Sequence, residues 1–270
     1  MPIFNNNGVN LNYEVSGQGR AIVCVHGYTG SSQDWAEQMS ALSPNYRVVA
    51  LDLRGHGRSE APSNAEQYSV PIFADDVLAL LRALDIDKCC LMVHSLGGLI
   101  ALQFALEHAD MISALVLVGT GSGERASWPP GFAELRRKLS ELARSGGMQA
   151  AFEYDAANNP QRIETFQKHP EQREIVRQRM LATSVDGYIY VWRVLTKQQP
   201  MTSRLSEIKV PTLIYWGDED TLMANSAQTL KKGIANSELI TVKGVGHSPH
   251  YESPELFNEK LLEFLSRVGC

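Results

Sequence analysis

No run of uncharged apolar residues in this chain reaches the roughly 18 needed to cross a bilayer, so no transmembrane helix is expected. The first ten residues carry no lysine or arginine and no long apolar stretch, which argues against a secretory signal. Basic blocks are missing too. Lys and Arg total 25 against 30 Asp and Glu, mixed along the chain, and the net charge of −5 leaves no electrostatic footprint for nucleic acid. Cysteine is sparse. Cys24, Cys89, Cys90 and Cys270 match neither a zinc-ligand spacing nor a disulfide framework, and three of them fall in expected buried strands, where a thiol acts as a small apolar residue. Repeats and low-complexity tracts are absent. A cytoplasmic chain is expected, with no metal, cofactor, nucleic acid or membrane. Oligomeric state stays open. With 44% hydrophobic residues among 270, there is enough apolar material for one large core or a core plus a small second unit.

What is present is an alternation of strand-like and helix-like segments. Strands are expected over 10–17, 21–27, Tyr46–Leu53, Lys88–Val93, Ile112–Gly119, Thr212–Trp216 and Glu238–Val242. Helices are expected from Ser31 or Ser32 to about Leu42, over Val70–Leu84 and Leu96–His108, and near Ser226–Ile234. A last helix opens at Ser253 and Pro254. The run Ala21–Val25 is continuously apolar, as a strand covered on both faces requires. Alternation of this kind implies a mostly parallel sheet with helices on both sides. The stretch 121–206 differs: it is rich in charge and aromatics, holds short helical patterns around Phe132–Leu142 and Ile175–Thr183, and shows no strand. It reads as a helical cap inserted into an αβ core made of 1–120 and 207–270, over the sheet edge where ligands bind.

Three strand ends carry chemistry. Val93-His94-Ser95-Leu96-Gly97-Gly98 joins a strand to a helix through a sharp turn, which exposes the Ser95 hydroxyl and aims the Leu96 N–H at the same point. Serine alone is a poor nucleophile and needs a base. The strand Leu213–Trp216 ends in Gly217-Asp218-Glu219-Asp220, and the last strand ends in Gly244-Val245-Gly246-His247. The order serine, acid, histidine, all at strand ends, suits a triad. His247 takes the serine proton near neutral pH, and a carboxylate behind it fixes the tautomer.

With His26-Gly27-Tyr28-Thr29-Gly30-Ser31 and Asp52-Leu53-Arg54-Gly55-His56-Gly57-Arg58-Ser59 added, the chain resembles the α/β-hydrolase superfamily over nearly its whole length. The resemblance implies a mostly parallel eight-stranded sheet flanked by helices, with a helical cap. It implies Ser95, Asp220 and His247 as catalytic residues, Asp220 being the last residue of Gly-x-x-Asp. It also implies an oxyanion site from the N–H groups of Tyr28 and Leu96. Trp128, Trp192 and His94 are the candidate substrate-binding residues. One departure concerns the elbow, Gly-x-Ser-x-Gly in the family, which here has the β-branched Val93 in its first position.

The expected activity is that of a cofactor-free serine hydrolase, with a small-molecule substrate, a carboxylic ester or lactone, cleaved through an acyl-enzyme. Similar enzymes with this triad cleave carbon–carbon bonds in β-diketones or meta-cleavage products. The segment from His26 to Trp35 is also similar to a synthase of menaquinone biosynthesis, although the arginine that commonly follows the elbow glycines there is Leu99 here. A non-enzymatic or slow-turnover ligand sensor using the same pocket is the remaining alternative. His26 and His94 also read as structural or hydrogen-bonding residues beside the site, and His56, flanked by Arg54 and Arg58, as a loop-ordering residue.

Overall fold

Eight strands form one sheet in the computed structural model, which describes residues 2–124, 130–220, 223 and 225–270. They are β1 (Ile3–Asn6), β2 (Val9–Ser16), β3 (Ala21–Val25), β4 (Arg47–Leu51), β5 (Cys89–His94), β6 (Ile112–Val118), β7 (Thr212–Gly217) and β8 (Ser237–Val242). The helices before β7 are α1 (Ala36–Leu42), α2 (Val70–Ala83), α3 (Leu96–Glu107), α4 (Phe132–Asn158), α5 (Pro160–Lys168), α6 (Gln172–Leu181) and α7 (Val185–Lys197). Those after β7 are α8 (Ser226–Gly233), α9 (Pro249–Glu252) and α10 (Pro254–Val268). Across the sheet the order is β1-β2-β4-β3-β5-β6-β7-β8. The β1–β2 and β2–β4 pairs are antiparallel and all others are parallel.

The two-residue period of the central strands divides the core into two layers. Val23, Val25, Leu91, Val93, Leu115 and Leu117 pack on one face with Phe73, Leu80, Ile100, Phe104 and Leu230 from α2, α3 and α8. Ile22, Cys24, Cys90, Met92, Val116 and Val118 pack on the other with Met39, Leu42, Phe257, Leu261 and Phe264 from α1 and α10. Cys24, Cys89 and Cys90 are buried free thiols, and burial raises the pKa of each. The chain leaves β3 toward β4 on one side, then crosses to β5 on the other. The carboxyl ends of β3 and β5 therefore open a crevice, the usual ligand position in such sheets.

The seven expected strands and five expected core helices match these elements to within a few residues, whereas β1, α5, α7 and α9 have no counterpart among the sequence-derived segments and the pattern around Phe132–Leu142 is only the first part of α4. Ser31 does cap its helix, but the first turn, Ser32–Trp35, is a tighter 3₁₀ turn leading into α1. The segment between β6 and β7 is helical and strand-free among the described residues. It has an apolar cluster of its own, including Leu139, Phe152, Val176, Met180 and Tyr188. Helix α4 kinks at Gly147, whose φ of 75° lies in the left-handed region open to glycine. Among the described residues no helix is long and apolar enough to cross a membrane.

Candidate active site

Parallel pairing ends at Val93 and His94, and the chain reverses into α3 at Ser95, which has φ 51° and ψ −111°. A non-glycine residue held there stores roughly 1–3 kcal/mol of backbone strain. The surroundings over-determine it: the Ser95 N–H donates to the Val118 carbonyl at 3.0 Å. The Ser95 carbonyl accepts from the Thr120 hydroxyl at 2.6 Å and the Gly98 N–H at 2.9 Å. Gly97 is required by close approach, since a Cβ there would lie 2.6 Å from the Val25 carbonyl oxygen. Val93 is not among the residues with positive φ. It sits as an ordinary strand residue between Val25 and Leu117, fully buried. The strain of the elbow therefore falls on Ser95, and the packing makes room for the β-branched side chain.

His247 follows β8 and meets Ser95 across the crevice. Its Nδ1–H donates to Asp220 Oδ2 at 2.6 Å, which leaves Nε2 to accept the Ser95 hydroxyl at 3.0 Å. The Asp220 side chain is 2% exposed, while that of His247 is 42% exposed and open to a ligand. Burial pulls the His247 pKa down. The charge and hydrogen bond of Asp220, helped by Glu252, outweigh it, so the imidazole ends above its ordinary value. The neighbouring acids have other surroundings: Asp218 is exposed and accepts the Gly244 N–H at 2.7 Å, and Glu219 is exposed.

The loop after β3 runs directly past the elbow, with a Cβ on Gly27 falling 3.1 Å from that of Ser95. Tyr28 follows it. Leu96 is the first residue of α3, so its N–H has no acceptor within the helix. The Tyr28 side chain points away toward the helical segment. Its hydroxyl donates to the Tyr188 carbonyl at 2.6 Å and accepts from Arg136 Nη2 at 2.5 Å, and its ring stacks on that of Tyr188. The Arg136 guanidinium carbon lies 5.3, 4.7 and 4.1 Å from the ring centroids of Tyr28, Tyr188 and Trp192. A cation over three rings ties the helical segment to the loop beside Ser95. A second tie is the ion pair of Arg179 on α6 with buried Asp34.

Among the remaining candidates, Trp192 is half-buried beside Tyr28 and Phe132, with ring centroids 6.1 and 5.7 Å away. Trp128 lies outside the described residues. His94 is buried behind the triad. Its Nε2–H donates to the His247 carbonyl at 3.0 Å, and its ring packs between those of His247 and His250. Burial, with His250 and His247 alongside, drives its pKa well below the ordinary histidine value. His26 accepts the Leu53 N–H, and Arg54 makes a buried two-bond pair with Asp76. Both order the loops around the crevice. Among the described residues no cluster of His, Cys, Asp and Glu is arranged to hold a metal ion. Sequence reasoning missed Arg136, Arg179 and the arrangement of Glu252, which approach the site from distant parts of the chain.

The match to a family model described as the alpha/beta hydrolase fold spans residues 20–254. The chain belongs to the alpha/beta hydrolase family. Its relatives include a Bacillus subtilis (strain 168) protein named as a candidate 2-succinyl-6-hydroxy-2,4-cyclohexadiene-1-carboxylate synthase. That protein is 30% identical, with 96% of each chain covered. Among solved structures, a thermophilic esterase from Thermogutta terrifontis is 26% identical, with 98% of this chain and 97% of the other covered and a TM-score of 0.83. An enol-lactonase from Burkholderia xenovorans LB400 is 26% identical, with 98% and 100% covered and a TM-score of 0.84. This alpha/beta hydrolase is a hydrolytic enzyme, and the proteins it is similar to include ones named as an esterase, an enol-lactonase and a 2-hydroxy-6-oxononadienedioate hydrolase.

Proposed function

We propose that this hydrolase cleaves a small carboxylic ester or lactone through an acyl-enzyme, with Ser95 as nucleophile, His247 as general base and acid, and Asp220 as the carboxylate that orients the imidazole. The observation that carries this reading is the hydrogen-bonded chain from Asp220 through His247 to a strained, outward-turned Ser95. As Ser95 Oγ bonds to the substrate carbonyl carbon, its proton passes to His247 Nε2. The carbonyl oxygen, now an oxyanion, accepts from the N–H groups of Tyr28 and Leu96, each worth roughly 10²–10³ in rate. Collapse breaks the carbon–oxygen bond to the leaving alkoxide, which takes the proton from Nε2. A water molecule then gives its proton to Nε2, attacks the acyl carbon and releases the acid, and the proton returns to Ser95. Side chains and water supply everything these steps need.

Residues 121–206 form the cap of this reading and 1–120 with 207–270 its core, Trp192 lying on the cap side of the substrate. The names of the esterase and the enol-lactonase support acyl transfer as the reaction type. The relative named as a 2-hydroxy-6-oxononadienedioate hydrolase favours carbon–carbon bond hydrolysis as a second reading. A synthase activity like that named for the Bacillus relative is disfavoured, because position 99 holds a buried leucine where the synthase resemblance leads one to expect an arginine.

The test is turnover of a panel of short-chain esters, lactones and vinylogous diketones, with products identified by mass spectrometry and Ser95→Ala as blank. Ester or lactone turnover and a phosphonate adduct on Ser95 are the expected results. Cleavage of diketones alone selects the second reading. An adduct elsewhere, or none on the folded protein, overturns the nucleophile. Saturable binding without turnover makes the protein a sensor.

A further inference from the structure

The loop that carries His247 is held from both sides by groups outside the triad. Glu252, the last residue of α9, reaches back along the chain. Its Oε2 accepts the Gly246 N–H at 2.7 Å and its Oε1 accepts the Ser248 N–H at 2.8 Å, so one carboxylate brackets the histidine. From the opposite side His94 donates to the His247 carbonyl at 3.0 Å. Two charge-assisted bonds to a carboxylate are the stronger part of this clamp.

We propose that Glu252 is a positioning residue for His247, fixing the backbone on both sides of the imidazole so that Nε2 stays aligned on Ser95. The proposal rests on the acyl-transfer reading for its kinetic consequence and on geometry alone for its structural one. Displacement of a catalytic group by about 1 Å costs on the order of a hundredfold in rate. Ser248 is followed directly by Pro249, so the short α9 begins right behind His247, and Glu252 closes that turn back onto the loop. The carboxylate also adds negative charge near the ring. The charged and titratable groups facing His247 are Asp220 after β7, Glu252 on α9, Arg179 on α6, His94 on β5 and His250 on α9. Asp220 and Glu252 raise its pKa, and Arg179 lowers it. Because Glu252 is exposed, its charge is partly screened and its electrostatic share is smaller than that of Asp220.

The experiment compares Glu252→Gln and Glu252→Ala with the wild-type protein. Glutamine keeps one acceptor oxygen and loses the charge, whereas alanine loses both bonds. We expect kcat to fall about tenfold to a hundredfold in the alanine variant, less in the glutamine variant, with KM little changed. The acid limb of the kcat/KM profile moves to lower pH in both. Titration of the His247 ring by NMR, assigned with His247→Gln, reads the same downward shift without turnover. It therefore separates failure of this proposal from failure of the acyl-transfer reading. Unchanged kcat and unchanged ring pKa in both variants overturn the proposal. So does a loss that follows only the folded fraction. If the alanine variant does not fold, the glutamine variant decides by the same two readouts.

Discussion

Replacing Asp220 by asparagine tests the site at its most buried charge. The side chain is nearly isosteric, so the fold should survive. An imidazolium forms at each proton transfer, and the carboxylate 2.6 Å from Nδ1 stabilises it. An amide offers no charge. If its NH₂ turns toward Nδ1, it favours the tautomer with the proton on Nε2, which cannot accept from Ser95. In serine hydrolases with this arrangement the same exchange costs on the order of 10⁴ in kcat, or about 5 kcal/mol at roughly 1.4 kcal/mol per decade. The assay is kcat/KM on the best panel ester near pH 7.5, corrected for folded protein by circular dichroism. A pH profile follows. His247 must be neutral to accept the proton, so activity falls as pH drops through its pKa. In the wild-type enzyme that limb should lie above the ordinary value of 6.5, and in the asparagine variant it should move down. Asp218→Asn is the control. Asp218 is exposed and only accepts the Gly244 N–H, which an amide oxygen also does, so activity should stay near wild type. If Asp218→Asn loses more than Asp220→Asn, or if the acid limb does not move, the assignment of Asp220 is refuted.

Three further outcomes are expected. Trp192→Ala should reorder the preference among acyl-chain lengths by about 1–3 kcal/mol while labelling of Ser95 by a small phosphonate keeps its rate; equal loss on every substrate would make Trp192 a packing residue only. His26, His56, His94 and His250 are buried, and burial is the first cause that keeps each below its ordinary pKa, His56 down to about 3. Unfolding between that range and about pH 6.5 takes up protons, so stability should be lost as pH falls below 6.5, by up to about 1.4 kcal/mol per pH unit for each histidine. Melting temperatures from pH 7.5 to 5 check this, and a slope unchanged by His56→Gln would refute the part assigned to His56. Val93→Gly should lower stability by about 2–4 kcal/mol through lost burial and added chain freedom, with activity retained; loss of activity in a folded variant would give the valine a positive role.

The legible parts of this protein were those in which a short stretch of sequence determines its own geometry. The elbow is one: a buried strand, a serine and two glycines within ten residues fix the turn that exposes Ser95. The ends of β7 and β8 are others, since an apolar run meeting Gly-x-x-Asp or Gly-His marks both the strand end and the residue leaving it. Contacts between segments far apart in the chain were not legible. Strand β1 has four residues and an exposed Ile3, too little pattern to register. Helix α7 contains Tyr188-Ile189-Tyr190-Val191-Trp192, residues that favour strands. Its identity comes from the Ser184 hydroxyl capping the Gly187 N–H and from burial of Tyr188, Val191 and Val194 on one stripe. His94, one residue before the nucleophile, reads from sequence both as a substrate-binding candidate and as a hydrogen-bonding residue beside the site. Its position beneath His247 depends on a loop about 150 residues away, whose carbonyl it binds.

The Val93 departure shows why a motif is best read through the conformation each position must adopt. The serine takes the positive φ, and Gly97 is where a side chain would strike the β3 backbone. Those two positions carry the steric demand. The first motif position lies inside β5, paired on both sides in regular register, and points into the layer beneath α2 and α3. A strand interior is where a β-branched residue is at ease. What it needs there is space, and the layer supplies it by packing Val93 among buried aliphatic and aromatic side chains. The substitution thus changes the filling of the core below the elbow and leaves the path of the backbone through it alone. For that reason loss of stability, and not loss of turnover, is the expected signature when the valine is removed.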